Sequence, residues 1–298
     1  MGSNLNEIAV KDLREKFQGP HELLETSDGK TLFIRRWNAA KESPVSLLIF
    51  HGITGYSEPY GPIIAEQLAS SGFDVFGMDL RGHGLSDGKR GDYPSPERFV
   101  MDLSETVKLV KSKSKKLVLL GHSLGSLSAI VAAKTNQNDI DGLVVLSAAK
   151  KMKGNVYTKP KTMALLKTLL GVTIFQGTPL IEYRRQGQLG LNDPLFNFEY
   201  SARFYSVLYG VKPREFVTMY RSGFIESPNL KFASRLEVPI LVGVGDQDDL
   251  FTVEAAKEFY DEIDATDKEF LVIPGARHAF FPKNCWDPLV NWLNRKFA

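Results

Sequence analysis

Residues 117–125, Leu-Val-Leu-Leu-Gly-His-Ser-Leu-Gly, constrain the fold of this chain more than any other stretch. A continuous apolar run behind Lys115 and Lys116 is what a strand buried on both faces of a parallel sheet requires. It stops at Gly121-His122-Ser123-Leu124-Gly125, a G-x-S-x-G pattern. Where that pattern joins a buried strand to a helix, the turn is so sharp that the serine is held in a strained conformation, its hydroxyl pointing out of the sheet. Glycine at both ends follows, because a side chain at either position would collide across the strand-to-helix crossing. Residues 124–134 are rich in small side chains and read as the helix that the turn enters. Without such flanks the pattern is weak, and a glycine-rich turn in an unrelated parallel-sheet protein is the competing reading.

The rest of the chain alternates in the same manner. Residues 21–26 and 31–37 flank Ser27-Asp28-Gly29-Lys30, and Asp-Gly between two alternating runs predicts a hairpin of antiparallel edge strands. Residues 45–50 form another buried-strand run and lead into His51-Gly52-Ile53-Thr54-Gly55. A helix carrying Ile63, Ile64, Leu68 and Ala69 follows, then a strand over 73–78 and a polar loop with glycine at 82 and 84. Phe99, Val100, Leu103, Val107 and Val110 repeat at helical spacing behind Pro96. Further strands are expected over 142–147, 239–244 and 268–273, and further helices over 253–263 and 286–297. Strand and helix in turn point to an α/β fold with a mostly parallel, doubly wound sheet. Residues 149–229 break the alternation, so the expected organisation is a core from 1–148 and 230–298 with 149–229 inserted between two core strands.

Charge and cysteine content narrow the function classes. With 37 Lys and Arg against 35 Asp and Glu the net charge is +2, and such near balance argues against a nucleic-acid partner, which needs a clustered basic surface. Cys285 is the single cysteine, so neither a disulfide framework nor a zinc pattern is available. Residues 4–17 are mixed polar and charged, unlike a secretion signal, and no apolar run reaches the roughly 20 residues of a spanning helix. A cytoplasmic protein is the resulting expectation. Gly82-x-Gly84 runs into Leu85-Ser86 rather than opening a helix, which argues against nucleotide binding, and no metal or cofactor is expected.

A serine hydroxyl is a poor nucleophile until a base removes its proton, and that base is usually a histidine oriented by a carboxylate. Downstream of Ser123, the loop after the strand at 239–244 carries Gly245-Asp246-Gln247-Asp248-Asp249, and the loop after the last strand carries His278. His278 is the only histidine beyond that acidic loop, whereas three aspartates compete for the role of acid. Residues 52–86, the serine turn, the Gly-x-x-Asp loop and the late Gly-x-x-His together resemble the α/β-hydrolase superfamily, and more closely its monoacylglycerol lipase and lysophospholipase-like branch. The resemblance implies an α/β-hydrolase fold with a helical cap and a serine hydrolase activity. It selects Asp248 as the acid, with Ser123 as nucleophile and His278 as base, and leaves Asp246 and Asp249 as polar loop residues. An oxyanion site needs backbone amides aimed at the developing charge. Leu124, which follows the nucleophile, supplies one; the resemblance points to Ile53 for the other, with Thr54 as its rival and His51 as a brace for the loop.

The substrate implied by the resemblance is a single-chain lipid ester such as a monoacylglycerol or lysolipid. The alternatives on the same residues are a proline iminopeptidase-like peptidase, whose cap would hold a free amine with carboxylates among Glu182, Glu199, Glu215 and Glu226, and a thioesterase or acyltransferase. A non-enzymatic ligand sensor is the alternative from another class. Within the insertion, Lys150, Lys151, Lys153, Lys159, Lys161 and Lys167 lie among apolar residues with no acidic residue before Glu182. This stretch reads either as a cap helix with solvated lysines or as a peripheral contact with an anionic membrane. In both readings the insertion roofs the site, contacts the substrate and leaves the reacting groups to the core.

Overall fold

A computed structural model describes residues 5–41, 43–153, 162–183, 192–222, 225–231 and 236–297. After a short helix α1 (Glu7–Glu15), strands β1 (His21–Glu25) and β2 (Thr31–Trp37) form the hairpin about Asp28-Gly29. Next come β3 (Val45–Phe50), a π-helical turn (Gly61–Ala65) running into α2 (Glu66–Ser70), β4 (Asp74–Met78) and α3 (Pro96–Lys111). The serine turn lies between β5 (Lys116–His122) and α4 (Gly125–Thr135), and β6 (Gly142–Leu146) follows. The chain then leaves the sheet for α5 (Thr162–Thr173), the two-residue strands β7 (Ile181–Glu182) and β8 (Glu199–Tyr200), α6 (Ala202–Tyr209) and α7 (Pro213–Ser222). It returns with β9 (Ile240–Gly245), α8 (Val253–Asp261), β10 (Lys268–Ile273) and α9 (Asp287–Phe297).

Eight strands make one sheet in the order β1-β2-β4-β3-β5-β6-β9-β10. From β4 to β10 every neighbouring pair is parallel, while β2 runs antiparallel to both β1 and β4. The fold is therefore the expected α/β-hydrolase sheet with one correction. Only β1 of the hairpin is an edge strand, because β2 is paired on both sides and its residues 32–35 are buried.

Strict alternation within the apolar runs divides the core into two layers. Leu48 and Phe50 of β3, with Leu117 and Leu119 of β5, face α3 and α4, which present Phe99, Leu103, Val107 and Ile130. Leu47 and Ile49, with Val118 and Leu120, face the other way, against Leu68 of α2 and Trp292 and Leu293 of α9. Helix α4 is buried from Gly125 through Ala133, which explains its lack of a polar face. A helix buried all round packs on more than one side, and here the sheet and α6 both touch it.

The chain passes from β3 outward to β4 and back across to β5, so the switch in strand order lies between β3 and β5. In open α/β sheets the crevice beyond the carboxyl ends of the strands at such a switch is where ligands bind. Phe50 pairs with Gly121, which sets the loop after β3 directly beside the serine turn. The crossing is close: a Cβ on Gly121 would lie 2.5 Å from the Gly125 carbonyl oxygen, and one on Gly125 would lie 2.0 Å from the Phe50 carbonyl oxygen. Both obstacles are backbone, so neither can swing away. Gly125→Ala should therefore destabilise the fold by more than about 2 kcal/mol, toward the upper end for overpacked cores, measured as a lower urea midpoint at unchanged m-value. A midpoint equal to that of the wild type would show that α4 can lift off β3.

Candidate active site

Ser123 has φ +55°, the left-handed region that costs a non-glycine residue energy. Its amide donates to the Leu146 carbonyl at 2.9 Å, which holds the turn against β6. Its hydroxyl lies 2.8 Å from His278 Nε2. His278 Nδ1 lies 3.0 Å and 3.1 Å from the two carboxylate oxygens of Asp248. A carboxylate only accepts, so Nδ1 carries the proton and the Nε2 lone pair faces the serine hydroxyl. Burial alone would push the Asp248 carboxyl up, but the hydrogen bond and charge of His278 and the amides of Leu250 and Phe251 outweigh it and hold the group well below the usual carboxylate range.

The three competing aspartates separate cleanly. Asp246 accepts the Gly275 amide at 2.7 Å, and Asp249 pairs with Arg277 at 2.8 Å, so both lace the loop after β9 to the loop after β10. Asp248 alone of the three reaches His278. The parallel pairing of β9 with β10 explains the closeness of the two loops, since Gly245 stands opposite Ile273.

Across from this pair, the loop after β3 presents three successive amides with different fates. Gly52 donates to the Tyr60 hydroxyl oxygen at 2.9 Å, and Thr54 donates to the Tyr200 hydroxyl oxygen at 2.8 Å. Among the described residues nothing accepts the Ile53 amide, and nothing accepts that of Leu124. Thr54, the rival to Ile53, is thus committed elsewhere. Two residues that the sequence did not single out, Tyr60 and Tyr200, make this distinction. No local signal could have found Tyr200, which stands 146 positions beyond Thr54.

His122 is more than a spacer in the serine turn. Its Nε2 lies 2.8 Å from the His278 backbone carbonyl, which can only accept, so Nε2 carries the proton. Nδ1 then accepts from the Tyr60 hydroxyl at 2.7 Å, whose oxygen in turn takes the Gly52 amide. One chain of directed hydrogen bonds links the loops after β3, β5 and β10. His51 braces its own loop, with Nδ1 against the Gly52 carbonyl and Nε2 accepting the Leu80 amide. The glycine loop at 79–86 packs beside these groups: Asp79 accepts the amides of Ser57 and Leu85, and Arg81 forks onto Asp102.

Two cavities meet at Ser123. One of about 170 Å³ is lined by Gly52, Ile53, Tyr60, Tyr183, Phe196 and His278 among others. A smaller one of about 60 Å³ runs beneath α6 and α7, among Leu127, Ala148, Tyr205, Phe216, Ile225 and Phe251. Ile53, Ser123 and Tyr183 line both, and no Asp or Glu among the described residues lines either. Glu182, Glu199, Glu215 and Glu226 are all exposed. Among the described residues no cluster of three His, Cys, Asp or Glu side chains could hold a metal ion.

Residues 42–283 match the family described as Serine aminopeptidase, S33. The chain belongs to this family. It is 26% identical over 272 residues to YnbC of Escherichia coli K12, an uncharacterized protein, covering 88% of this chain and 44% of YnbC. It is 29% identical over 152 residues to the monoglyceride lipase of Rattus norvegicus, covering 50% of this chain and 47% of that enzyme. Both matches therefore span less than half the length of the relative. Among solved structures, the monoacylglycerol lipase of Paleococcus ferrophilus superposes with a TM-score of 0.64 at 26% identity, covering 89% of this chain and 99% of that one.

The site carries its own acid sensitivity. Burial holds His51, His83 and His122 uncharged, the last with its pKa lowered from 6.5 to about 3, the charge of nearby His278 adding to the effect. The unfolded chain therefore binds more protons than the fold below pH 6.5, so stability is full above that value and is lost as pH falls toward 3. Between about pH 6.5 and pH 5.5 carboxylates contribute little to this slope, because Asp and Glu, with ordinary values near 4, stay largely ionised in both states. Thermal melts over that range should show Tm falling with acid, and His122→Gln should fall less steeply by the share of one proton. Parallel curves for the two proteins would show that His122 already charges in the fold.

Proposed function

We propose that the protein is a serine ester hydrolase acting on a single-chain lipid ester such as a monoacylglycerol. The observation that carries this reading is the line of Ser123 Oγ, His278 Nε2 and Asp248 opening into two cavities whose described walls hold no carboxylate. In the reaction, Ser123 Oγ attacks the acyl carbon while His278 Nε2 takes its proton. The amides of Ile53 and Leu124 hold the oxyanion, and Asp248 stabilises the imidazolium. Nε2 then gives its proton to the departing alcohol oxygen. Water, deprotonated by the same nitrogen, cleaves the acyl-enzyme and releases the acid.

The family description raises the aminopeptidase alternative. Binding a free α-amine in a half-buried site needs an anionic partner, because an unpaired buried ammonium is expensive. The four glutamates that could have supplied one are exposed and line neither cavity. Apolar walls suit an acyl chain instead, and the names of the lipase relatives agree with that choice. Residues 149–229 act in this reading as the cap, with α6 and α7 roofing the smaller cavity. Because each methylene buried contributes about 0.8 kcal/mol, catalytic efficiency on p-nitrophenyl esters should climb with chain length until the cavity is full. Aminoacyl anilides should be turned over far more slowly; preference for them would overturn the ester reading. Ser123→Ala and His278→Ala should each remove all but about a hundredth of the activity, and the double variant should be little worse than either. Asp248→Asn should lower turnover by several orders of magnitude, whereas Asp246→Asn and Asp249→Asn should change it by less than about tenfold, or roughly 1.4 kcal/mol of barrier. The opposite ranking would move the acid.

For access to lipid, the cap offers an apolar surface rather than the basic one. Met163, Leu166 and Leu169 of α5, with Ile174 and Phe175 just beyond it, are between 48% and 69% exposed. By contrast, Lys150 pairs with Glu262, and the Lys153 ammonium donates to the Asp248 carbonyl at 2.6 Å. Lys159 and Lys161 lie outside the described residues, and Lys167 is exposed. Peripheral membrane contact through α5 is accordingly part of this proposal. The protein should sediment with anionic lipid vesicles, and Leu166→Ser with Leu169→Ser should release it while leaving turnover of a soluble short ester unchanged. A wild-type protein that stays in the supernatant would eliminate the contact.

A further inference from the structure

Thr54 has φ +69°. For a β-branched residue that conformation is an outlier, and such strain persists only where the surroundings over-determine it. Here both backbone polar groups of Thr54 are taken by the inserted segment. The amide donates to the Tyr200 hydroxyl oxygen at 2.8 Å, and the carbonyl accepts the Asn197 amide at 2.9 Å. Tyr200 closes the ring by donating its own proton to the Asn197 carbonyl at 3.0 Å. Burial keeps that proton on the tyrosine by pushing its pKa well above the usual value. Tyr200 is itself immobile: its side chain is 0% exposed, packed 4.5 Å from the Phe204 ring and stacked on His83. Asn197 is anchored as well, its side-chain amide donating to the Gly82 carbonyl at 2.7 Å.

We propose that Tyr200 is a positioning residue for the oxyanion site, which holds Thr54 in the left-handed region and so keeps the amide of Ile53 free and aimed beside Ser123. The inference rests on the ester hydrolase reading and deepens it. Rotating the Ile53–Thr54 peptide to relieve the strain at Thr54 would turn its neighbour, the Gly52–Ile53 peptide, whose Ile53 amide has no acceptor among the described residues. With Gly52 held by Tyr60 on the other side, Ile53 sits between two fixed peptides. The insertion is therefore not a detachable roof. It contributes a group to the geometry of the reacting site, contrary to the expectation that the core alone would hold it.

The test is Tyr200→Phe, which removes one oxygen and keeps the buried ring. On p-nitrophenyl butyrate, kcat should fall by at least about tenfold with KM within about twofold, the pattern of an interaction made only in the transition state. Affinity for an alkyl trifluoromethyl ketone, which forms the tetrahedral oxyanion on the serine, should fall by a similar factor. Thr54→Gly supplies the control, because glycine adopts positive φ without strain. In a Thr54→Gly background the penalty of Tyr200→Phe should shrink to less than about threefold, whereas a tyrosine that only packs α6 would show the same penalty in both backgrounds. A Tyr200→Phe enzyme within twofold of wild type, or an undiminished penalty in the glycine background, overturns the proposal. If the wild type hydrolyses no ester, the functional reading fails, and a crystal structure of Tyr200→Phe still decides the positioning: Thr54 should leave positive φ, and its retention there would sink the idea.

Discussion

At the base of the site the first turn of α4 lies so close on the end of β3 that a Cβ on Gly125 would stand 2.0 Å from the Phe50 carbonyl oxygen. Everything that could react depends on it. If α4 stood further off, Ser123 would not be forced into the left-handed region and its hydroxyl would not leave the plane of the sheet. The same approach carries the Leu124 amide and the loop after β3 to the same place, so the Ser123 hydroxyl and the two amides without an acceptor among the described residues share one origin. It also accounts for the composition of α4, whose small side chains let a helix lie against the sheet on one side and α6 on the other.

A second constraint acts on the loops. Six groups, Gly52, Thr54, Tyr60, His122, Asp248 and His278, are each held by partners whose donor or acceptor role is set by the rest of the net. Carbonyls and carboxylates accept, amides donate, and the tautomers of His122 and His278 follow from that alone. A net of this kind loses its sense if His51 or His122 gains a proton, because each accepts a hydrogen bond on one ring nitrogen, and burial keeps both neutral. Beneath the net, Asp102 gathers Arg81, Arg98 and Tyr93 and ties the glycine loop to α3. Charge is thus concentrated behind the site and kept out of its cavities.

How much of this could be read from the chain depended on distance along it. Ser123 was legible because its constraint is local: two glycines, an apolar run and a small-residue helix lie within a few positions of it. The sheet was legible because fully buried strands leave continuous apolar runs at β3, β5, β6 and β9. Asp248 could not be told from Asp246 and Asp249 by composition, and only the resemblance separated them, since all three reach the loop after β10 and what distinguishes them is which one meets His278 there. Likewise β2 reads as an edge strand from its hairpin alone; its second partner, β4, is more than 30 residues away. Ile53 and Thr54 are neighbours whose roles diverge through a tyrosine in the insertion, where no periodicity or motif marks it. Lys150 and Lys153 looked like solvated charges because the groups they bind, Glu262 and the Asp248 carbonyl, belong to the far end of the core.

The two cavities that meet at Ser123 divide more than space. Ile53, Ser123 and Tyr183 form the party wall, while His278 lines the larger cavity and is absent from the described lining of the smaller. A group within reach of His278 therefore stands on the larger side, and the smaller side meets Ser123 without that histidine among its described walls. In the proposed ester hydrolysis this layout would part the two products by compartment, with the alcohol, and then the water, on the side that His278 lines.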